Sequence, residues 1–111
     1  MLPKLERLRS ERGIRHALNA PEFDRRTPLL HLVGRRNDLG FSRLVVITPK
    51  KLGKAVQRNR LKRVTVEAFK KARAGARSGL DLAIFPRRRV ISAGFEAIVN
   101  DIDLALKQIN A

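Results

Sequence analysis

The sequence predicts an α+β fold, a small central sheet packed with helices. Apolar residues recur every three or four positions over residues 61–72 and again over 95–109, which indicates two helices that each bury one stripe. Short apolar runs bounded by turn formers lie at 29–35, 41–48 and 80–85 and indicate strands. With a short helix near the N-terminus, the predicted order is helix, two strands, helix, strand, helix.

The first helix is predicted over residues 11–19. Ser10 is placed to cap it and Pro21 to end it. Ile14 and Leu18 lie four positions apart and therefore share one face.

The next segment is predicted to be irregular and then to form a hairpin. Residues 20–27 carry turn formers and charges, which favour a connection without regular structure. The strands at 29–35 and 41–48 are separated by Asn-Asp-Leu-Gly at 37–40. Because this tetrapeptide is typical of a turn, we expect the two strands to pair antiparallel.

A long basic helix is predicted to begin after Gly53 and to end between Gly75 and Gly79. Spacings of three and four place its apolar residues on one side and its cations on another. The predicted buried stripe is Leu61, Val64, Ala68 and Ala72.

The last third of the chain is predicted as strand, turn and helix. In the strand at 80–85, Leu80, Leu82 and Ile84 fall on one side. The final helix is predicted to begin near Ser92 as its cap. Pro86 precedes a basic turn made of Arg87, Arg88 and Arg89. The predicted buried stripe of the final helix is Phe95, Ile98, Val99, Ile102, Leu106 and Ile109.

Positive charge is concentrated in one part of the chain. The 111 residues contain 25 Lys and Arg against 10 Asp and Glu, a net charge of +15. Residues 50–77 hold eleven of these cations and a single acid, Glu67. A solvated helix usually alternates the sign of its charges, so we expect this patch to meet a polyanion outside the chain.

Length and composition predict one cytoplasmic domain over residues 1–111. A chain of this length suits a single compact core. It has no cysteine, which fits a reducing compartment and excludes thiolate metal sites. No stretch reaches the roughly 18 apolar residues of a membrane span, and the N-terminus lacks a signal-peptide core. We therefore expect no membrane partner.

No group of residues predicts catalysis by the protein alone. His16 and His31 lack metal-ligand spacing. Asp101 and Asp103 point in different directions on a helix, and we expect them to be solvated. The serines have no paired base in local sequence, and GKAVQRN lacks the frame of a phosphate loop. We therefore expect no catalytic residue, and no metal or cofactor bound by the protein alone.

Nucleic-acid binding suits the basic helix better. Arginine grips phosphate with two hydrogen bonds and lysine acts as a point charge. A DNA-binding helix-turn-helix needs a second helix beside the first, whereas strands are predicted on both sides here, so no DNA partner is expected. Five Phe and no Tyr or Trp do not supply the aromatic platform of common single-strand RNA modules. A structured RNA fits best, and a solvated helix with intramolecular pairs is the alternative.

Residues 50–63, KKLGKAVQRNRLKR, resemble the signature of the bacterial ribonuclease P protein family. That family has an R-N-R-x-K-R core after a K-K-x-G-x-A approach. The residues that match in order are Lys50, Lys51, Gly53, Ala55, Arg58, Asn59, Arg60, Lys62 and Arg63. Further matches over essentially the whole chain are Leu8, Arg43, Phe69, Asp81 and Pro86.

The resemblance implies a small basic partner of a large catalytic RNA. Together they would remove the 5′ leader of precursor tRNA, with magnesium held through the RNA, and the protein alone would be inactive. The implied fold is similar to a domain of certain small-subunit ribosomal proteins and has a left-handed crossover in its sheet. A small ribosomal or rRNA-assembly protein is the alternative.

The resemblance also implies which residues bind RNA. The expected RNA-binding residues are Lys50, Lys51, Lys54, Arg58, Asn59, Arg60, Lys62 and Arg63. The expected cleft for the single-stranded leader consists of Ile14, Leu18, His31 and Arg43. The basic turn, Arg87, Arg88 and Arg89, is a second candidate contact. Family members usually have aromatic residues at the positions of Ile14, Leu18 and His31, so we expect weaker stacking on leader bases here.

Overall fold

The computed structural model describes residues 14–15, 18–19, 21–37, 39–72 and 79–110. The described residues between 14 and 19 are helical, as the sequence predicts. Ser10, His16 and Gly75 lie outside the described residues.

In the described part of the chain, four strands and two long helices follow one another. Strand β1 is Phe23–Arg26, β2 is Leu30–Arg36, β3 is Arg43–Val46 and β4 is Leu80–Pro86. Helix α1 is Ala55–Ala72 and α2 is Phe95–Asn110, and short 3-10 turns at Lys50–Leu52 and Arg88–Ser92 precede them. The α+β class is confirmed, with one strand more than predicted.

The additional strand is β1, in the segment predicted to be irregular. It pairs antiparallel with β2, from Phe23 opposite Gly34 to Arg26 opposite His31. Only Phe23 is buried among its four residues. The prediction was wrong because a short edge strand with one apolar residue has no alternating pattern, and pairing with a neighbour rather than propensity forms it.

The predicted hairpin between β2 and β3 is also wrong. The sheet order is β1-β2-β4-β3, so β4 lies between them. β4 pairs antiparallel with β2 and parallel with β3. Every residue of β4 except Phe85 is buried. An apolar strand of this kind is typical of the centre of a sheet, where it is hydrogen-bonded to a neighbouring strand on each side. The chain from β3 through α1 to β4 is a parallel crossover whose left-handedness stays a prediction.

Close packing of β2 on β4 depends on Gly34. A Cβ atom at this position would lie 2.4 Å from the carbonyl oxygen of Asp81 and 2.7 Å from a methyl carbon of Leu82. Glycine therefore permits the two central strands to approach on the core side of the sheet.

The core lies between one face of the sheet and the two long helices. The buried stripe of α1 is Leu61, Thr65, Ala68, Phe69 and Ala72. The buried residues of α2 are Ile98, Val99, Ile102, Ala105, Leu106 and Ile109. The predicted stripes are confirmed except at Val64, which is half-buried, and at Phe95, which is 41% exposed.

Helix α2 begins later than predicted. Ser92 is the last residue of a 3-10 turn, and α2 starts at Phe95. The expectation that Asp101 is solvated is wrong too, because its carboxylate accepts hydrogen bonds from the Thr27 hydroxyl and from the Leu29 backbone at 3.1 Å. Asp101 thereby fixes α2 to the turn between β1 and β2. Of the helices in the described ranges, none is long and apolar enough to cross a membrane.

Candidate nucleic-acid interface

The basic stretch opens with a tight turn that presents lysines. Leu52 is buried while Lys50 and Lys51 are exposed, and the Gly53 amide donates to the carbonyl of Lys50 at 3.2 Å. Gly53 has a φ of +133°, which favours glycine. Gln57 then accepts a hydrogen bond from the backbone of Lys54 at 3.0 Å and so caps the start of α1.

Helix α1 carries half of the predicted RNA-binding residues on its exposed side. Asn59, Arg60, Lys62 and Arg63 are exposed, and no acid lies in the first turn. At about 100° per residue, Arg63 lies opposite the buried stripe, and the arc from Arg60 to Lys62 spans about 160°. The positive end of the helix dipole lies at the first turn of α1, next to Lys54, so the field there also favours phosphate.

Arg58 differs from the other cations of α1. Its side chain is half-buried, and its Nε atom donates to the carbonyl of Gly53 at 3.2 Å. Arg58 therefore stabilises the turn that presents the lysines, in addition to its predicted contact with RNA.

The basic turn at residues 87–89 joins the same surface. Arg88 Nη2 donates to the backbone carbonyl of Lys51 at 2.7 Å. The Arg87 amide donates to the carbonyl of Leu29 at 2.8 Å, which fixes the turn to the start of β2. Two basic segments that are far apart in sequence are thus one surface. Sequence reasoning treated them separately, because their contact depends on the position of β4 in the sheet.

The outer face of the sheet, opposite the core, presents an aromatic pair. Leu80, Leu82 and Ile84 of β4 are buried in the core, so Phe85 lies on the opposite face, where it pairs with His31. The two rings have centroids 5.8 Å apart and are tilted by 31°. Sequence reasoning missed Phe85 as a site residue, although the alternation of β4 could have placed it on the outer face.

His31 is oriented by a carboxylate from the edge strand. Its Nε2 atom lies 2.6 Å from Asp24 Oδ1. This hydrogen bond lowers the pKa of Asp24 below its ordinary value. Because the Asp24 side chain is half exposed, its pair with His31 contributes little to stability and mainly orients the His31 ring.

Arg43, a predicted leader contact, is engaged in a structural ion pair. It donates to both carboxylate oxygens of Asp81, at 2.8 and 2.7 Å, and Asn37 donates to the same carboxylate at 2.7 Å. Burial alone would raise the pKa of Asp81, but the hydrogen bonds from Arg43 and Asn37 outweigh burial and leave this pKa below its ordinary value.

The structure does not bring Arg43 close to His31. Arg43 is level with Asp81, and His31 is level with Phe85, four residues further along β4. At about 3.3 Å per residue this is an offset of about 13 Å along the strands, and β4 also lies between the two residues. Ile14 and Leu18 are helical with half-buried side chains, and their part in a leader cleft stays a prediction.

The described residues offer no obvious place for a protein-bound metal ion. In the ranges that the structure covers, no three His, Asp or Glu side chains come together in a way that could hold one. Asp81 is ion-paired with Arg43. Asp101 accepts a hydrogen bond from the turn between β1 and β2.

Comparison with known proteins identifies the family of this chain. The model of the ribonuclease P family matches residues 2–110. The chain belongs to the ribonuclease P protein family. It is 30% identical over 107 residues to the ribonuclease P protein component of Syntrophus aciditrophicus, a match that covers 95% of this chain and 87% of that protein.

Relatives from Thermotoga are similar in sequence and in structure. The ribonuclease P protein component of Thermotoga petrophila is 38% identical over 64 residues, which cover 58% of this chain and only 54% of that protein. The solved RNase P protein of Thermotoga maritima superposes with a TM-score of 0.83 at 26% identity, covering 96% of this chain and 99% of that one. The resemblance predicted from KKLGKAVQRNRLKR is confirmed, and it favours the ribonuclease P family over the ribosomal alternative.

Proposed function

We propose that this chain is the protein subunit of a bacterial-type ribonuclease P. It binds the catalytic RNA of the enzyme and the 5′ leader of precursor tRNA, and it assists magnesium-dependent removal of that leader in the cytoplasm. The match of the family model over residues 2–110 carries this proposal. The joined basic surface gives it a physical basis.

The exposed side of α1 is the proposed contact with the catalytic RNA. Arg60 and Arg63 can each bind a phosphate with two hydrogen bonds, and Lys62 adds a point charge. Each phosphate neutralised in this way releases condensed counterions, which is a major source of affinity for RNA. The turn at Lys50–Leu52, held by Arg58 and Arg88, extends this contact toward the sheet.

In this proposal the protein positions RNA and the RNA performs the chemistry. Magnesium held through the RNA subunit supplies the hydrolytic chemistry of leader removal. The protein residues bind and orient phosphates and bases, which suits a surface rich in cations. The leader lies on the outer face of the sheet near His31, so the subunit favours precursor over mature tRNA.

The test is to incubate purified protein with precursor tRNA and magnesium, with and without ribonuclease P RNA from the same genome. We expect specific leader removal only when the RNA is present, and at a lower magnesium concentration with the protein than without it. Specific cleavage by RNA-free protein would contradict the proposal. Co-sedimentation with ribosomal subunits, without stimulation of cleavage, would favour the ribosomal alternative.

A further inference from the structure

An apolar slot lies between the first half of α1 and the 3-10 turn Arg88–Ser92. Its volume is about 320 Å³. Leu61 and Val90 are buried and belong to the core, whereas Val56 is 80% exposed and Ile91 is 57% exposed. The slot therefore has core residues at its floor and exposed apolar side chains at its walls. Its complete apolar lining is Val56, Leu61, Val64, Val90, Ile91 and Ala93.

This slot explains why Val64 is only half-buried, although the sequence predicts it in the buried stripe of α1. Val56, Arg60 and Val64 recur every four residues, so they lie along one side of the helix. All three line the slot. The packing of α1 on the core therefore leaves this side of the helix facing the 3-10 turn.

We infer that the slot takes up one unpaired base of the catalytic RNA, with Val56 and Ile91 in contact with the base and Arg60 on an adjoining phosphate. The inference rests on the proposed function, because it takes the RNA that meets α1 to be the catalytic RNA. It goes beyond that function by assigning a base-binding site to apolar residues outside the R-N-R motif.

The position of the slot within the positive surface favours RNA as its occupant. One wall is α1, whose Arg60 lines the slot, and the other wall is the turn that begins with Arg88 and Arg89. Among the described residues that line the slot there is no carboxylate. A nucleotide joins an apolar base to a negatively charged phosphate, so it matches an apolar slot with a cation beside it. Structured RNAs present such bases where a nucleotide of a loop or bulge is unstacked.

Two other occupants fit the slot less well. The leader is proposed to lie on the outer face of the sheet, and the cavity beside His31 and Phe85 shares no lining residue with the slot. A second copy of this chain carries the same net charge of +15, so two copies repel each other. These observations favour the catalytic RNA.

The variant that tests this inference is Val56→Ala with Ile91→Ala, which shortens both exposed walls of the slot and changes no charge. Its Kd for the catalytic RNA is measured over a salt series, with circular dichroism to establish folding. Because apolar contact is lost and no phosphate contact is lost, we expect affinity to fall about 10-fold at every salt concentration. The slope of log K against log salt stays that of the parent protein.

Two control variants accompany this measurement. Val56→Ile with Ile91→Val exchanges the two side chains and keeps the apolar volume of the walls, so we expect the parent affinity. Leu104→Ala shortens an apolar side chain that is 50% exposed on α2, outside the slot, and we expect the parent affinity here too. Parent affinity in the double Ala variant, or a flattened salt slope, would overturn the inference.

Chemical probing identifies the base. The catalytic RNA is treated with dimethyl sulfate and with a water-soluble carbodiimide, which together modify unpaired bases of all four kinds. It is probed alone, with saturating parent protein and with the saturating double Ala variant. We expect one unpaired base to be protected by the parent protein and to stay reactive with the variant. The same protected bases with both proteins would count against the slot.

Sedimentation and cleavage measurements separate the remaining outcomes. If the parent protein dimerises without RNA and the double Ala variant does not, the slot binds a second copy and the inference is wrong. Stimulation of leader removal by the parent protein is measured with the same preparations. Its absence would overturn the proposed function, whereas stimulation by the parent protein together with unchanged RNA affinity of the variant overturns the inference alone.

Discussion

At the scale of single residues, the structure separates cations that hold the fold from cations that can meet RNA. Arg43 is paired with Asp81, and Arg58 and Arg88 each donate to a backbone carbonyl. Within the described ranges, no ion pair involves Arg60 or Arg63. The R-N-R motif therefore has two roles, because its first arginine, Arg58, also stabilises the preceding turn.

This division predicts a graded dependence on salt. Replacing Arg60, Lys62 or Arg63 by Ala weakens binding to the catalytic RNA and flattens the slope of log K against log salt by about 0.7 to 0.9 per lost phosphate contact. Lys107→Ala is the control, because Lys107 pairs with Asp103 on α2 at 3.0 Å. The measurement is RNA affinity over a salt series, with circular dichroism to establish folding. A triple variant with the parent slope would mean that these residues do not touch phosphate.

The ion pair of Asp81 and Arg43 predicts a dependence of stability on pH. Because the pKa of Asp81 is lowered in the folded protein, its contribution to stability is present above the ordinary aspartate value of about 3.9 and is lost as the pH falls through the lowered value. Asp81→Asn therefore destabilises the protein by about 1–3 kcal/mol near neutral pH, and this difference shrinks in acid. Urea unfolding of both proteins over a pH series measures it. A difference that stayed constant into strong acid would contradict this explanation.

At the scale of elements, the sequence predicted the parts of the fold that local periodicity determines. The stripes of α1 and α2 repeat over several turns, so they were recognisable. The positions of β1 and β4 depend on pairing between distant segments, which no local pattern reveals. The same limit applies to the candidate site. The basic stretch was recognisable, whereas the contacts of Arg88 with Lys51 and of His31 with Phe85 follow from the sheet order.

Helix α1 also contains a polar group that its environment does not satisfy. The hydroxyl of Thr65 is fully buried and has no hydrogen-bond partner among the described residues. Thr65→Val keeps the shape and removes the unsatisfied group, so we expect a gain of about 1 kcal/mol in the free energy of unfolding. A gain of this size corresponds to a rise in Tm of about 4 °C for a domain of 111 residues.

Thr27→Val is the matched control for this prediction, because the Thr27 hydroxyl donates to Asp101 and accepts a hydrogen bond from the Leu30 amide at 3.1 Å. The same change at this position leaves Asp101 without one of its donors and lowers Tm. Thermal unfolding of the two variants under one condition compares them. Equal shifts of the same sign would contradict the assignment of Thr65 as unsatisfied.

At the scale of the whole molecule, charge is segregated between the two long helices. The exposed side of α1 has no acid before Glu67, whereas α2 carries Glu96, Asp101 and Asp103 against Lys107. A polyanion is therefore attracted to the surface formed by α1 and the two basic turns. In the proposed function this surface serves two RNAs, the catalytic RNA along α1 and the leader on the outer face of the sheet.

This arrangement predicts that defects on the two parts of the surface respond differently to excess protein. Arg60→Ala with Arg63→Ala weakens assembly with the catalytic RNA, so raising the protein concentration restores cleavage of precursor tRNA. Arg87→Gln with Arg89→Gln weakens the hold on the leader inside the assembled enzyme and leaves the contact of Arg88 with Lys51 in place. Excess protein therefore does not restore cleavage, and the defect is a raised KM for long-leader precursors. Cleavage rates measured over a series of protein concentrations distinguish these cases, with Lys107→Ala as the unaffected control. Full rescue of both double variants by excess protein would mean that the turn at residues 87–89 serves assembly rather than the leader.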